Sequence, residues 1–380
     1  MRIMILTHNY PRYPGDGWAT AGLFVPGFAR ALQSLGHEAM ILTPNVVGEK
    51  ATDPTLPVRW FEWRGNNKNK KLGHLNPRKP ADVLALLNLF YRGSQAAIQL
   101  ARENEIDRCL ALWAVPSGVF AHAAYLKAGC PYDVWALGSD IWVHGRRSSL
   151  RPAVRRVLSQ ADGLFADGLE LCDEVKRLSG RACQFLPTAR QLPVKTTAAA
   201  TMDPEGFHFL FIGRWEPAKG PDVLIDAFSR IAPEFPRVCL HVFGGGTLEG
   251  TIRSKIERYN LRRNVTLYGY ADPATVVAYM KACDVLVIPS RIESIPILFS
   301  DAMQVGIPVV ATDVGDLGQL VRQYGVGVVV APEDPEAMAR ALGAAMNGRL
   351  SVSAEAFQAA ASAFEVEGIA KTYLTACRET

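Results

Sequence analysis

No stretch of about 18 consecutive apolar residues occurs in the 380-residue chain, so no segment reads as a membrane-spanning helix. The opening MRIMILT is strand-like and lacks the apolar core of a signal peptide, which points to a cytoplasmic protein. Seven cysteines (109, 130, 172, 183, 239, 283 and 377) are scattered without a CxxC pair. That pattern excludes a disulfide framework and a structural zinc site and suits a reducing compartment. No GxxxxGK[ST] order appears, which argues against ATP hydrolysis. VFGGGTLEG (242–250) is glycine-rich but lacks GxGxxG spacing, since its glycines stand at 244, 245, 246 and 250. No acidic residue ends the strand that follows, NVTLYGY (264–270), so a dinucleotide cofactor is not indicated and no cofactor is expected. Asp-x-Asp is also missing, so no divalent metal is expected to hold a diphosphate.

What is present describes a globular enzyme-sized protein. Hydrophobic residues make up 49% and charged residues 21%, and the length suits two domains. The net charge of +4 conceals an asymmetry: 23 Lys and Arg face 16 Asp and Glu through residue 187, and 18 face 21 after it. Two basic runs carry much of the excess, RGNNKNKKLGHLNPRKP (64–80) and RRSSLRPAVRR (146–156). Either they are solvated loops, or they attract an anionic membrane surface or a phosphorylated acceptor. Neither interleaves aromatics that would stack bases, so nucleic acid is not an expected partner.

The strand RIMILT (2–7) is followed by a Pro/Gly-rich loop, a helical pattern (23–36) and a second strand, EAMILTP (38–44). The same grammar returns with HFLFIG, RWEPAKGP, DVLIDAFSRIA and RVCLHVFG from residue 208. Alternating strands and helices imply parallel sheets with right-handed crossovers. Two such starts predict an α/β protein of two Rossmann-like, doubly wound domains, with ligand bound in the cleft they face. The expected boundaries are 1–187, a linker at 188–206, and 207–353, with a helical, Ala-rich tail at 354–380.

GRWEPAKG (213–220) lies between a strand and a helix. Gly213 permits a sharp turn, the helix N-terminus offers N–H groups to an anion, and Arg214 and Lys219 add full charges. These two cations suit a diphosphate leaving group, which gains charge as its bond breaks. The alternative is an ordinary basic surface loop. Further on, RIESIPILFSDAMQVGIPVV (291–310) carries Glu293 in a strand-to-helix loop and Asp301 about two turns on, with Pro296 near the helix start and Gly306 past its end.

GRWEPAKG, GYADPATVVAYMKACDVLVIPS and RIESIPILFSDAMQVGIPVVATDVGD, in this order, resemble the C-terminal half of retaining GT-B glycosyltransferases of family GT4. The first half agrees: YPRYPGDGWATAGLFVPGFARALQSLGHEAMILTP, WAVPSG (113–118) and LGSDIW (137–142) are similar to the family's acceptor-side segments, and FEVEGIAKTYL (364–374) to its closing helix, which returns to the first domain. The resemblance implies a GT-B fold and a retaining, metal-independent transfer of sugar from a nucleoside diphosphate sugar to a hydroxyl. A cell-surface glycan precursor or lipid-linked acceptor is the expected recipient, with peripheral contact to an anionic membrane.

It also implies roles for residues. Arg214 and Lys219 would stabilise the departing diphosphate, and Glu293 would face the donor sugar beside Ser294, Ile295 and Pro296. Asp301 would grip the ribose hydroxyls, Gly269 and Tyr270 would hold the base, and Gly213, Gly244 and Gly17 (with Gly15) would allow close backbone approach. Asp140 would orient the acceptor hydroxyl.

Three departures stand out. The family's Glu-x7-Glu is Glu-x7-Asp here, one methylene shorter at Asp301. Leu137 replaces a common histidine before Gly-Ser-Asp, and Leu110 and Leu112 stand where another histidine-bearing stretch is usual. His144 and His8 are candidates to replace the lost imidazoles. These departures keep two other readings open: a catalytically silent binding or scaffold protein on this frame, and a sugar-nucleotide epimerase or hydrolase.

Overall fold

The computed structural model describes the chain except for residues 14–21, 49, 51–54, 66–74, 76–77, 146–149, 193–199, 201 and 380. Gly15, Gly17, most of the basic run at 64–80 and four residues of that at 146–156 lie outside the described residues. The chain divides into two compact units, Met1–Arg190 with Val366–Thr380, and Gln191–Glu365.

In the first unit the elements run β1 (Arg2–Leu6), α1 (Val25–Ser34), β2 (Glu38–Pro44), β3 (Val58–Phe61), α2 (Pro80–Glu103), β4 (Arg108–Leu112), α3 (Ser117–Ala128), β5 (Tyr132–Ala136), α4 (Arg151–Gln160), β6 (Leu164–Ala166), α5 (Leu169–Ser179) and β7 (Gln184–Phe185). A π-helical turn, Asp140–Gly145, intervenes before α4. The sheet order is β3-β2-β1-β4-β5-β6-β7, all pairs parallel. Strands this apolar bury both faces, as parallel sheets do. One face packs Leu89, Ala97, Phe120, Val154 and Val175 from α2 to α5. The other packs Phe28 and Leu32 of α1.

In the second unit, β8 (Phe207–Ile212), α6 (Pro221–Ile231), β9 (Val238–Phe243), α7 (Glu249–Arg258), β10 (Val265–Leu267), α8 (Pro273–Ala282), β11 (Val285–Ile288), α9 (Ile297–Val305), β12 (Val309–Thr312), α10 (Leu317–Tyr324), β13 (Gly327–Val330), α11 (Pro335–Met346) and α12 (Ala354–Phe364) build a sheet of order β10-β9-β8-β11-β12-β13. Its pairs are parallel too. The alternation in the sequence thus gives two doubly wound parallel sheets. Each reverses strand order once, between β1 and β4 and between β8 and β11. Crevices at the carboxyl ends of such switch-point strands are where open α/β sheets bind ligands.

The single helix expected over 354–380 is instead two helices, α12 and α13 (Val366–Glu379). Glu365 is extended, with φ −82° and ψ 138°, and breaks the helix. Phe364 stays in the second unit, its ring 5.2 Å from that of Phe299. In the first unit α13 packs beside α1 and buries Ile369, Ala370, Tyr373 and Leu374. Its anchor is polar: the Tyr373 hydroxyl donates to Asp133 Oδ2 at 2.9 Å. Arg108 Nη1 donates to Asp133 Oδ1 at 2.7 Å, and so does the Gly163 N–H at 2.8 Å. Burial pushes the Asp133 carboxyl up, and Arg108 partly opposes that shift.

Candidate functional site

The GRWEPAKG loop leaves the carboxyl end of β8, and the RIES loop leaves that of β11, so both stand at the switch point of the second sheet. Gly213 ends the strand, its N–H on Phe243 O at 3.1 Å. Arg214 projects into solvent and forms no ion pair with a carboxylate among the described residues. A short 3₁₀ turn, Pro217–Lys219, then delivers Lys219, and Gly220 opens α6 in the left-handed region at φ +64°. A Cβ at Gly220 would lie 2.0 Å from Pro289 O, so the two loops meet there backbone to backbone.

Across that junction Lys219 Nζ pairs with Glu293 Oε2, both side chains part-buried. Glu293 does not cap α9. Pro296 stands at that helix's N-cap, and neither α9 nor α6 has a side-chain cap. By contrast α8, α11 and α12 are capped by Asp272, Asp334 and Ser353. The helices α7 and α10 of the same unit also lack a side-chain cap, and at α6 Pro221 has no N–H while the Val223 N–H donates to Gly220 O at 3.1 Å. Ser294 is exposed, Ile295 half-buried and Pro296 buried.

On the neighbouring edge, Gly244 N–H donates to Gly269 O at 3.2 Å. The Tyr270 hydroxyl donates to Gly245 O at 3.0 Å, leaving the ring 76% exposed. Ile292 is 74% exposed, and these two are the most exposed large apolar side chains among the described residues. Tyr270 follows β10 and Ile292 follows β11, two strands apart from one another in the sheet with β9 and β8 between them.

Two expected site residues are fully buried. Asp301, in α9, has no exposed surface, so a direct grip on a ribose diol is not available to it in this conformation. Asp140 also has none. Its Oδ2 accepts the Ala114 N–H at 2.6 Å and its Oδ1 the Leu137 N–H at 3.3 Å. Burial pushes this carboxyl up to about 6, against the pull of those amides. Asp140 therefore ties the loop after β4 to the loop after β5, in place of presenting a carboxylate to an acceptor.

Beside it, Trp113 holds a left-handed backbone at φ +70°, a strained conformation for a bulky residue. The His8 ring meets Trp113 edge-on at 4.6 Å. Its Nδ1 is buried without a hydrogen-bond partner among the described residues. Burial, with nearby His144, lowers the His8 pKa to about 4, so the imidazole is neutral at ordinary pH.

Sequence reasoning missed the residues that hold Lys219 and Glu293 in place. Arg291 forms a two-pronged pair with Asp222, and Gly315, at φ +50°, lies against the Glu293 carbonyl, where a Cβ would come within 2.1 Å. The signal was there in Arg291-x-Glu293 and Lys219-x-x-Asp222, charged residues of opposite sign on the two loops. Among the described residues no three His, Cys, Asp or Glu side chains converge as a metal site would require.

Two parallel sheets of matching topology, each reversing strand order once, with a basic turn and a carboxylate at the second reversal, define the class of proteins with the GT-B fold. Residues 198–363 match the family described as glycosyl transferases group 1. A D-inositol 3-phosphate glycosyltransferase of Xylanimonas cellulosilytica is 34% identical over 402 aligned positions, covering 95% of this chain and 92% of that one. The chain belongs to the glycosyl transferases of group 1. Relatives of the same name from Jonesia denitrificans and Segniliparus rotundus match at 32% and 34% identity, but there the chain spans only 37% and 39% of their length. Among solved structures, an Anabaena protein, HepE, in complex with UDP superposes with TM-score 0.73 at 18% identity, covering both chains completely. Sucrose-phosphate synthase of Thermosynechococcus elongatus follows at 0.72 and 18%, over 100% of this chain and 98% of that one. At such identities the likeness establishes the fold.

Proposed function

We propose that the protein is a retaining, metal-independent glycosyltransferase that moves a sugar from a nucleoside diphosphate sugar to a hydroxyl. The observation that supports this reading is the Lys219–Glu293 juxtaposition at the switch point, on the loop that also carries exposed Arg214. A donor diphosphate replaces Glu293 as the partner of Lys219, and Arg214 takes a second phosphate oxygen. Charge growing on the leaving group then meets two preorganised cations, which lowers the barrier where charge develops. Glu293, released from Lys219, turns to the sugar hydroxyls. The acceptor attacks from the face the diphosphate leaves, and the departing phosphate takes the acceptor proton, so no enzyme nucleophile is required. Tyr270 offers an exposed ring face for the base, and Gly269 its backbone.

The acceptor we propose is a cell-surface glycan precursor on a lipid carrier, reached from the cytoplasmic side in peripheral contact with anionic lipid. Helices α2, α3 and α4 pack on one face of the first sheet and carry outward Leu84, Leu87, Tyr91 and Leu126. Arg92, Lys127, Arg151, Arg155 and Arg156 are exposed on the same helices, and α3 and α4 contain no acidic residue. No helix among the described residues is long and apolar enough to cross a membrane. Vesicle flotation tests this contact: binding to anionic but not neutral vesicles, reversed by about 0.5 M salt where screening falls to a few ångströms, supports it. Retention on neutral vesicles in high salt refutes it.

A thermal-shift screen of UDP, GDP, ADP and TDP sugars identifies the donor, because a specific ligand stabilises the fold by mass action. UDP-glucose comes first, since a HepE structure was solved with it. Proton NMR of the product then reads the anomeric configuration. Retention of configuration with undiminished rate in EDTA supports the proposal. Inversion, or release of nucleoside diphosphate without acceptor, contradicts it. Failure of every nucleotide sugar to bind favours the silent scaffold.

A further inference from the structure

We propose that Arg291 is a positioning residue that clamps the phosphate-loop turn to the sugar-facing loop and thereby sets the Lys219–Glu293 geometry. This rests on the transferase reading for its consequence, not for its structural content.

Four of the five side-chain N–H donors of Arg291 are committed. Nη1 and Nη2 reach Asp222 Oδ1 and Oδ2 at 2.8 and 2.9 Å, a fork-on-carboxylate geometry. Nη1 also donates to Pro217 O at 2.7 Å, and Nε pairs with Glu333 Oε1. The Arg291 backbone N–H adds a bond to Ala218 O at 2.8 Å, supported by Ile292 N–H on the same carbonyl at 3.3 Å. Pro217 and Ala218 are the two residues before Lys219, and Arg291 stands two before Glu293. One side chain and its backbone therefore hold the carbonyls of the turn that aims Lys219, from the loop that aims Glu293.

A second observation agrees. Glu333 adopts φ +59°, a left-handed backbone that non-glycine residues rarely hold. That strained residue places its carboxylate on Arg291 Nε. The guanidinium is raised further above its usual range by Asp222 and Glu333, and it takes up two carboxylates that would otherwise repel a diphosphate.

A lysine keeps the charge but cannot fork, so Arg291→Lys separates charge from geometry. Arg291→Lys, Arg291→Met, Asp222→Asn and the Arg291→Met/Asp222→Asn pair are compared with wild type. Amide hydrogen exchange needs no substrate: the proposal predicts faster exchange at 218–220 and 291–294 in each variant, with the unfolding midpoint and the rest of the second unit little changed. Unchanged exchange in Arg291→Lys overturns the clamp. With the donor found in the screen above, kcat in Arg291→Lys falls about 10- to 100-fold while KM for the donor stays within about threefold, the pattern of misplaced groups and not of lost binding. The double variant loses no more than Arg291→Met alone. A kcat at wild-type level with loosened loops overturns the catalytic consequence. Loosened loops in a protein whose wild type turns over no nucleotide sugar leave the clamp standing and sink the transferase reading. If Arg291→Met does not fold, Arg291→Lys and Asp222→Asn carry the test.

Discussion

The two sheets reverse strand order at equivalent places, yet what each builds there differs. At the second sheet's switch point, between β8 and β11, stand full charges at the loop ends: Lys219 paired with Glu293, and exposed Arg214, which forms no ion pair among the described residues. At the first sheet's, between β1 and β4, stand neutral or backbone-locked groups: His8 against Trp113, and Asp140 accepting the amides of Ala114 and Leu137. The contrast teaches a division of labour. On the mechanism proposed above, one unit supplies full charge for a leaving group, while in the other the loops after β4 and β5 are tied by a buried carboxylate. The lack of histidine at Leu137 fits that division, because the first unit's edge is ordered without it.

The comparison can be broken at either end. The largest effect belongs to the first unit's buried hub. Asp133→Ala leaves Arg108 with only a longer contact to Asp162 (3.8 Å) and the Tyr373 hydroxyl without its carboxylate, and should cost about 3–5 kcal/mol in urea unfolding, as loss of one partner from a buried pair does. A loss below about 1 kcal/mol would mean the returning helix is held by packing alone.

Next comes Lys219→Ala, expected to lower turnover at least about 100-fold, the usual loss when one preorganised charge is removed. Turnover near wild type would dissolve the contrast between the units. Glu293→Gln sharpens it: transfer should fall while calorimetric binding of nucleoside diphosphate stays near wild type. If binding collapses as well, Glu293 serves the nucleotide and not the sugar.

The smallest effect is a pH dependence inside the second unit. His208 Nδ1 and His241 Nε2 lie 3.0 Å apart, and His241 Nδ1 lies 3.1 Å from the Tyr268 hydroxyl, which accepts from Tyr279. His208 Nε2 reaches Asp203 O at 2.8 Å. With neutral rings every donor runs one way, from Tyr279 to Asp203, and an extra proton on either imidazole sets two donors face to face. Burial, with His208, lowers the His241 pKa to about 4. A folded pKa below the unfolded value near 6.5 gives stability that is present above about pH 6.5 and lost as pH falls toward 4. The thermal midpoint should decline over that window, and less so in His241→Gln. NMR titration of His241 near 6.5 would remove the basis for it.

Much of the fold was legible because strand and helix periods differ and because Gly and Pro punctuate them: Gly306 and Pro296 bound α9 as their chemistry requires. The loop charges of the site were legible too, since Arg214, Lys219 and Glu293 sit where strands end. Burial was not. Asp301 and Asp140 read as accessible carboxylates in a linear sequence, and only tertiary packing encloses them. Long-range pairs were equally hidden: Arg291 and Asp222 are 69 residues apart, and Asp133 and Tyr373 are 240 apart. The break at Glu365 between α12 and α13 carries no Gly or Pro signal. It follows from Phe364 seating against Phe299 while the next helix packs in the other unit.

The most direct test is a crystal structure with a bound nucleoside diphosphate. Our account predicts phosphate oxygens within hydrogen-bond reach of Lys219 Nζ and the Arg214 guanidinium, and Glu293 no longer paired with Lys219. Phosphates bound away from both cations, with the Lys219–Glu293 pair intact, would contradict it.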